Sequence, residues 1–415
     1  MRRVLGSGIF IVIMLLIDLY VFQAVKLVTQ QVSPRMKWVI YVSYWSITVI
    51  TVLFFVFNAF INVDQWPKVL KIYFFAIILG LFISKFIAAI IFLADDIRRI
   101  LHWGGGKLYY TVLKNQTFAE NGISRSAFMS WLGLGLGTTL FGTLLTGFTN
   151  KYKYQLRKIP LAFDDLPQGF KGLKIVQISD IHSGSFTDKA AVERGIDMVL
   201  KQDPDLILFT GDLVNDSATE MEAFMETFSR LKAPMGVYSI LGNHDYGDYK
   251  QWPSKEAKVA NLDRLKQVHA ELGWRLLLNE HVPLERNGDQ IALIGIENWG
   301  AKGNFSKYGN LSKAYDGSEK YSFKILMSHD PSHWDAEVRP KYNDIHLTLS
   351  GHTHGMQFGV EIPGFRWSPV QYMYRKWAGL YTNESQKLYI NRGFGFIGYP
   401  GRVGILPEIT VLELL

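Results

Sequence analysis

No cysteine occurs in the 415 residues. Disulfides and thiolate-held metals are therefore excluded, and any bound metal must be held by His, Asp, Glu or Asn. No internal repeat or low-complexity tract is present, and with 48% of residues hydrophobic a disordered chain is excluded too. Acidic residues are scarce at the start. Residues 1–150 hold 13 Lys and Arg against 5 Asp and Glu, whereas residues 151–415 hold 31 against 32. The basic excess behind the net charge of +7 thus belongs to the N-terminal part. There it flanks apolar runs, which is how membrane orientation and lipid head groups shape a sequence, so no nucleic-acid partner is expected.

What fills the N-terminal part is four long apolar stretches, Leu5–Leu27, Trp38–Ile61, Val69–Leu93 and Ala127–Phe148. Each is near or above the ~20 residues a helix needs to cross the hydrocarbon. One cleavable signal would not explain four of them. Trp38, Tyr41, Trp66 and Tyr73 lie near their ends, as interfacial aromatics do. The spacing predicts a bundle of four transmembrane α-helices within residues 1–150. Asp18 and Lys85 fall inside the first and third stretches, which run in the same direction. They either pair within the bundle or each faces water alone. Gly133 and Gly137 give the fourth stretch a small-xxx-small spacing.

Orientation is nearly balanced. Arg98, Arg99, Lys107, Lys114 and Arg125 favour a cytoplasmic 94–126 loop, while Arg2, Arg3, Lys151, Lys153, Arg157 and Lys158 pull the other way. Ser124-Arg125-Ser126-Ala127-Phe128-Met129 resembles a twin-arginine export signal that lacks its second arginine. An integral membrane protein of a bacterial cell membrane, with an extracytoplasmic C-terminal part, is the expectation.

Residues 151–172 read as a basic linker, and from 173 the pattern changes. β-rich runs at 174–179, 206–210 and 237–241 alternate with helical stretches at about 188–202 and 219–231, which is the pattern of βαβ units around a parallel sheet. A long helix is predicted at 255–272. Apolar runs at 291–296, 323–328, 345–349, 387–391 and 409–414, with shorter connections, predict a second, more mixed sheet.

Five of these runs hand over to polar residues: Ser179-Asp180-Ile181-His182, Thr210-Gly211-Asp212, Leu241-Gly242-Asn243-His244-Asp245, Ser328-His329-Asp330-Pro331 and Ser350-Gly351-His352-Thr353-His354-Gly355. In open α/β sheets ligands gather at the C-terminal ends of strands. Two carboxylates (Asp180, Asp212), one amide (Asn243) and four imidazoles (His182, His329, His352, His354) suit two divalent cations of borderline hardness, Mn, Fe or Zn, where an all-oxygen set would point to Mg or Ca. One carboxylate between two such cations can bridge them at ~3.5–4 Å. The glycines before Asp212, Asn243 and His352 permit tight turns and close approach.

Together these blocks resemble the calcineurin-like metallophosphoesterase family, whose signature is Asp-x-His, Gly-Asp, Gly-Asn-His-Asp/Glu, His and Gly-His-x-His. The resemblance covers about 173–415. The tail, Leu388-Tyr389-Ile390-Asn391-Arg392-Gly393-Phe394-Gly395 through Pro407-Glu408-Ile409-Thr410, looks like the membrane-associated bacterial branch. The resemblance implies an α/β fold, a four-layer α/β/β/α sandwich, here preceded by the helical bundle. It implies that Asp180, His182 and His354 hold a first metal, Asp212 bridges, and Asn243, His329 and His352 hold a second. His244 would face the phosphate and Asp245 would orient it. Met356 departs from the branch, where a glycine is frequent at that place.

The activity so implied is hydrolysis of a phosphomonoester, phosphodiester or pyrophosphate by attack of a metal-activated hydroxide. Its substrate is expected to be a phosphorylated small molecule or a lipid or lipid-linked head group. Phe365, Trp367, Tyr372, Tyr374, Trp377 and Tyr381, with Arg366, Arg375 and Lys376, either form a surface that meets membrane lipids or pack on the second sheet. A metal-bound sensor or scaffold coupled to the bundle, and a transporter with a regulatory domain, are the alternative readings.

Overall fold

The computed structural model describes residues 2–60, 66–113, 126–303 and 305–415, which form two compact units, Met1–Thr146 and Gly147–Leu415. The first consists of helices α1 (Arg2–Val28), α2 (Pro34–Phe60), α3 (Lys68–Leu113) and α4 (Ala127–Gly147). All four are long and apolar enough to cross a membrane, and their large side chains (Leu16, Trp38, Leu79, Trp131) are exposed in the isolated chain, as a lipid-facing surface requires. The four-helix unit makes this a membrane protein.

Asp18 and Lys85 pair at 2.6 Å, and Thr48 donates to the second Asp18 oxygen at 2.5 Å. Of the two arrangements open to these residues the paired one is therefore found. The small-xxx-small spacing seats α4 on α3: a Cβ on Gly133 would lie 2.4 Å from the Phe92 ring, and one on Gly137 would lie 2.8 Å from the Ser84 carbonyl oxygen. The third helix is longer than its apolar run. It continues to Leu113 through residues read as a loop, because Asp95–Arg98 (2.9 Å) and Asp96–Arg99 (2.8 Å) are i,i+3 pairs that suit a helix surface. Lys114, Ser124 and Arg125 lie outside the described residues.

The second unit contains strands β1 (Gln155–Leu161), β2 (Lys174–Ile178), β3 (Leu206–Phe209), β4 (Val237–Ser239), β5 (Arg275–Leu276), β6 (Glu280–Arg286), β7 (Asp289–Gly295), β8 (Lys324–Met327), β9 (Leu347–Ser350), β10 (Val360–Ile362), β11 (Phe365–Trp367), β12 (Gly379–Asn383), β13 (Gln386–Ile390) and β14 (Glu408–Leu414). One sheet has the order β1-β14-β2-β3-β4-β5 and the other β12-β13-β9-β8-β7-β6, while β10 and β11 form a separate hairpin. Pairing is parallel from β2 to β5 and from β7 through β8 and β9 to β13; β14 on β2, β6 on β7 and β12 on β13 are antiparallel.

Period-two alternation explains the layering. Ile175, Leu206, Leu208, Ile325, Met327, Leu347 and Leu349 point into the space between the sheets. Val176, Ile178, Ile207 and Phe209 point the other way, against Val192, Ile196 and Val199 of α5 (Lys189–Leu200) and against Leu265 and Val268 of the 255–271 helix. Ile294, Leu326, Leu388 and Ile390 of the second sheet pack with Trp334 and Val338. Because both faces of each sheet are covered, its central strands read as continuous apolar runs. The result is a four-layer α/β/β/α sandwich.

Gln155–Leu161, which reads as part of a linker, is instead an edge strand parallel to β14. Gln155, Lys158 and Pro160 are exposed along it, as an edge allows, so its hydropathy resembles a linker.

Candidate metal centre

The five polar blocks follow β2, β3, β4, β8 and β9, and their loops are stitched together by backbone. Asp180 N donates to Gly211 O (2.9 Å), His182 N to Asp212 O (3.1 Å) and Gly351 N to His329 O (3.0 Å). Asp180, His182, Asp212, His352 and His354 all have φ between +48° and +69°. Non-glycine residues rarely adopt this left-handed region, and its concentration at one place marks a functional constraint on the backbone. Two glycines are required by space: a Cβ on Gly242 would lie 2.2 Å from Asp212 Oδ1, and one on Gly351 would lie 2.2 Å from Asp180 Oδ2.

Asp180, His182 and His354 offer donor atoms within 4.8 Å of one another, and so do Asp212, His329 and His352. His182 Nε2 and His354 Nε2 face each other at 3.0 Å, with Asp180 Oδ1 at 3.3 Å from His354 Nε2. In the second group His329 Nε2 is 3.1 Å from Asp212 Oδ2, and His352 Nδ1 is 2.8 Å from Asn243 Oδ1. Asp212 Oδ2 is also 3.6 Å from His182 Nε2, so one oxygen stands between the groups. The other, Oδ1, accepts the His244 backbone N–H at 2.9 Å.

These donors fit divalent cations. His329 donates Nδ1–H to Thr210 O at 2.7 Å, which leaves the Nε2 lone pair free, yet Nε2 is buried and aligned with no hydrogen-bond partner among the described residues. It lies 3.1 Å from Asp212 Oδ2. A buried orphan nitrogen is costly unless a ligand meets it, and a histidine held through Nδ1 by a carbonyl is how metal-binding imidazoles are oriented. Electrostatics agree. Burial opposes ionisation of Asp212, but the His329 and His244 imidazoles outweigh it and hold the carboxyl well below the usual carboxylate range. Burial likewise opposes a charged His329, but Asp212 carries it up to about 10. Burial lifts Asp180 to about 6 and lowers His182 to about 3.

His244 donates Nδ1–H to Asn215 O (2.8 Å) and stands edge-on to His182, with ring centres 5.0 Å apart. Among the described residues the Asp245 carboxylate makes no hydrogen bond to the His244 ring. The Asp245 carboxylate accepts the backbone N–H groups of Asp212, Leu213, Val214 and Gly242 at 2.8–3.3 Å, and so ties the Asp212 loop to the Asn243 loop. Burial, then the Asp212 charge, raises the Asp245 pKa to about 7.

Several neighbours escape a linear reading. The Tyr374 hydroxyl is 2.9 Å from His352 Nε2 and donates to Asp330 Oδ2 at 3.2 Å. Asn243 Nδ2 donates to the Tyr249 hydroxyl (2.9 Å), while its amide oxygen lies 2.8 Å from His352 Nδ1. The fully buried Arg402 donates to His354 Nδ1 at 3.2 Å and to the carbonyl oxygens of Arg392 and Gly395. Only Asp330 carried a local signal, adjacent to His329.

Two clusters of metal-ligating side chains at the strand ends of a double-sheet sandwich define a metallophosphoesterase-like α/β protein. Sequence comparison agrees. Residues 173–356 match the family described as calcineurin-like phosphoesterase, and residues 1–151 match the transmembrane domain of probable calcineurin-like phosphoesterases. The chain is 32% identical over 253 residues to the uncharacterized metallophosphoesterase YkuE of Bacillus subtilis, covering 60% of this chain and 81% of that one. It is 30% identical over 265 residues to a Danio rerio transmembrane protein with metallophosphoesterase domain, covering 62% of this chain and 56% of that relative; the chain thus spans little more than half that relative's length. Against the phosphodiesterase YaeI of Escherichia coli it is 27% identical over 243 residues, covering 58% of this chain and 82% of that one. The chain belongs to the calcineurin-like metallophosphoesterase family, and its N-terminal third carries the four-helix domain found with that family.

Proposed function

We propose that the protein hydrolyses phosphate ester or pyrophosphate bonds at a two-cation site, and that its substrate is a lipid or lipid-linked head group. The observation that carries the first part is Asp212 Oδ2, shared between two donor clusters. In this reading Asp180, His182 and His354 hold one cation, Asn243, His329 and His352 the other, and Asp212 both. The mixed nitrogen and oxygen donors favour Mn, Fe or Zn. Cations so held supply charge neutralisation for phosphate oxygens and an acidified water. His244, steadied by Asn215 O, presents Nε2 to the substrate and either binds a phosphate oxygen or protonates the leaving oxygen. Asp245, through four backbone amides, fixes the loops that carry Asp212 and Asn243.

The lipid part rests on an apolar face beside the site. Met356 (55% exposed), Ile362 (58%), Phe365 (53%), Tyr372 (78%) and Met373 (57%) cluster on the β10–β11 hairpin and the turns around it. Met356 follows His354 by two residues, and Tyr374 bonds His352, so this face adjoins the donors. Trp377 and Tyr374 pack inward with Val370, Ala378 and Ile405, so the aromatic segment divides between core and surface. A phosphorylated group on a membrane amphiphile matches an apolar rim next to cationic chemistry, in a protein that works beside lipid. The unit is placed extracytoplasmically in this reading, which protease accessibility in intact cells tests.

The deciding experiment strips the purified full chain of metal, reloads it with Mn, Fe or Zn and assays p-nitrophenyl phosphate, bis-p-nitrophenyl phosphate and phosphorylated lipids in mixed micelles. Turnover restored by metal, with lipids favoured over soluble esters, is the expected result. A metal-loaded protein without turnover would make it a sensor or scaffold, and exclusive action on soluble nucleotides would remove the lipid substrate.

A further inference from the structure

The membrane unit contains a cavity of about 470 Å³ to which all four helices contribute, through Val21 and Val25 of α1, Tyr44 of α2, Ser84 and Lys85 of α3 and Thr138 of α4, among others. That volume is in the range of small-molecule pockets. Its wall also includes residues exposed on the surface of the unit (Val39, Ile47, Thr138), so the cavity is open to the bilayer side.

The polar groups on this wall are unusual for a lipid-bathed bundle. Asp18 is fully engaged: one carboxylate oxygen takes Lys85 Nζ at 2.6 Å, the other takes the Thr48 hydroxyl at 2.5 Å. Lys85 is not. Its ammonium has three donors; one goes to Asp18, and Nζ lies 4.6 Å from the centre of the Tyr44 ring, but no second hydrogen-bond acceptor meets it among the described residues. Beside it, the Ser84 hydroxyl is buried away from the cavity and has no hydrogen-bond partner among the described residues. Unused donors in an apolar medium are costly, and ionisable groups kept inside a membrane mark a site. Here the Lys85 ammonium stands in the wall of a largely apolar space.

We infer that the four-helix unit binds an anionic amphiphile, whose hydrocarbon chain fills the cavity and whose oxyanion accepts from Lys85. The pair with Asp18 holds the ammonium in place while leaving donors for the ligand. A phospholipid phosphate and a fatty-acid carboxylate offer the same acceptor chemistry. This site is separate from the metal clusters and does not depend on what they hydrolyse.

The test is native mass spectrometry of the delipidated full chain titrated with dioleoylphosphatidylglycerol, oleate or dioleoylphosphatidylcholine. Wild type should bind one or both anionic probes at least tenfold more tightly than phosphatidylcholine; which of the two does so identifies the source. Thr138→Trp, which fills the cavity, should abolish that preference while hydrolysis of soluble esters is unchanged. Because removing Lys85 alone would strand Asp18, the charge is tested with Asp18→Asn and Lys85→Gln together, which keeps a hydrogen-bonded pair. That double variant, checked for an unchanged melting temperature, should also lose the preference. Equal binding of all three lipids by wild type, or a preference that survives in either variant, overturns the inference.

Discussion

Asp212 and His182 belong to different donor clusters, yet 3.6 Å separates Oδ2 of the one from Nε2 of the other. The same oxygen is 3.1 Å from His329. Ligands that reach across two clusters make the clusters interdependent. Asp212→Asn should therefore lower metal content at both positions, not one, and cut kcat/KM by at least ~10²–10³-fold, the scale of losing one preorganised charge-stabilising group. Elemental analysis of the purified variant, with activity measured at saturating metal, checks both. A variant that keeps two metals and wild-type turnover sinks the bridging role.

His244 is a different case, because its ring is held by Asn215 O and not by a cluster carboxylate. His244→Ala should keep its metals and lose ~10²–10⁴-fold in kcat, the range of general acid–base catalysis. The loss should be larger for an alkyl phosphate than for a p-nitrophenyl ester, whose leaving group needs no proton. Equal losses on both substrates would mean that His244 binds phosphate oxygen instead.

The donor residues were legible because chemistry restricts them: few side chains bind borderline cations, and strand ends confine where they occur. His352 and His354, two apart after an apolar run, could be read without a structure. Tyr374 and Arg402 could not, since each reaches its histidine only when the chain returns after 22 and 48 residues. β1 was hidden for another reason. An edge strand is only partly buried, so the polar Gln155, Arg157 and Lys158 mask it. The third helix outran its apolar stretch because hydropathy registers lipid contact, whereas Asp95–Arg98 pairing sustains helix without it.

Tyr374 tests the contacts that the linear sequence concealed. Its hydroxyl ties His352 Nε2 to Asp330. Tyr374→Phe keeps the ring and removes that tie. Metal affinity at the Asp212–His329–His352 group should fall ~10–100-fold, as is usual for outer-shell partners of ligating histidines. The reading is a chelator titration in which the weaker of the two sites shifts and the tighter one does not. Activity should recover at high metal, which a merely misfolded variant would not do.

His269 carries a prediction about stability. Its ring is fully buried against Phe209 and Trp274, neither nitrogen has a hydrogen-bond partner among the described residues, and burial lowers its pKa to about 3. The unfolded chain binds a proton there near pH 6.5, but the folded one does not until about pH 3. Folded-state stability is thus undiminished above pH 6.5 and is lost progressively as pH falls from there towards 3. His269→Leu removes this proton linkage and the buried unpaired nitrogens together. It should stabilise the unit by ~1–3 kcal/mol at pH 7.5, and by more at pH 5. Thermal melts at the two pH values check it; a variant that loses the same stability as wild type on acidification places the acid sensitivity elsewhere.

The exposed face beside the donors supports the sharpest test of substrate class. Ile362 and Phe365 are register partners across the β10–β11 hairpin, so their side chains lie on one face of it, and both are more than half exposed. Neither packs in the sandwich core. Replacing them with Ile362→Ser and Phe365→Ser should therefore leave folding and the hydrolysis of soluble p-nitrophenyl esters within about twofold, since exposed substitutions away from special backbone positions change stability little. Two large apolar side chains inserting into an interface are each worth roughly 1.5–3 kcal/mol when fully buried. Even partial insertion then makes their loss at least a tenfold fall in kcat/KM for a phosphorylated lipid presented in vesicles. The fall should appear in KM and vanish when the same lipid is made monomeric by a short-chain analogue. Equal rates on vesicles for wild type and the double variant would show that this face does not meet lipid, and the amphiphilic substrate would have to reach the metals by another route.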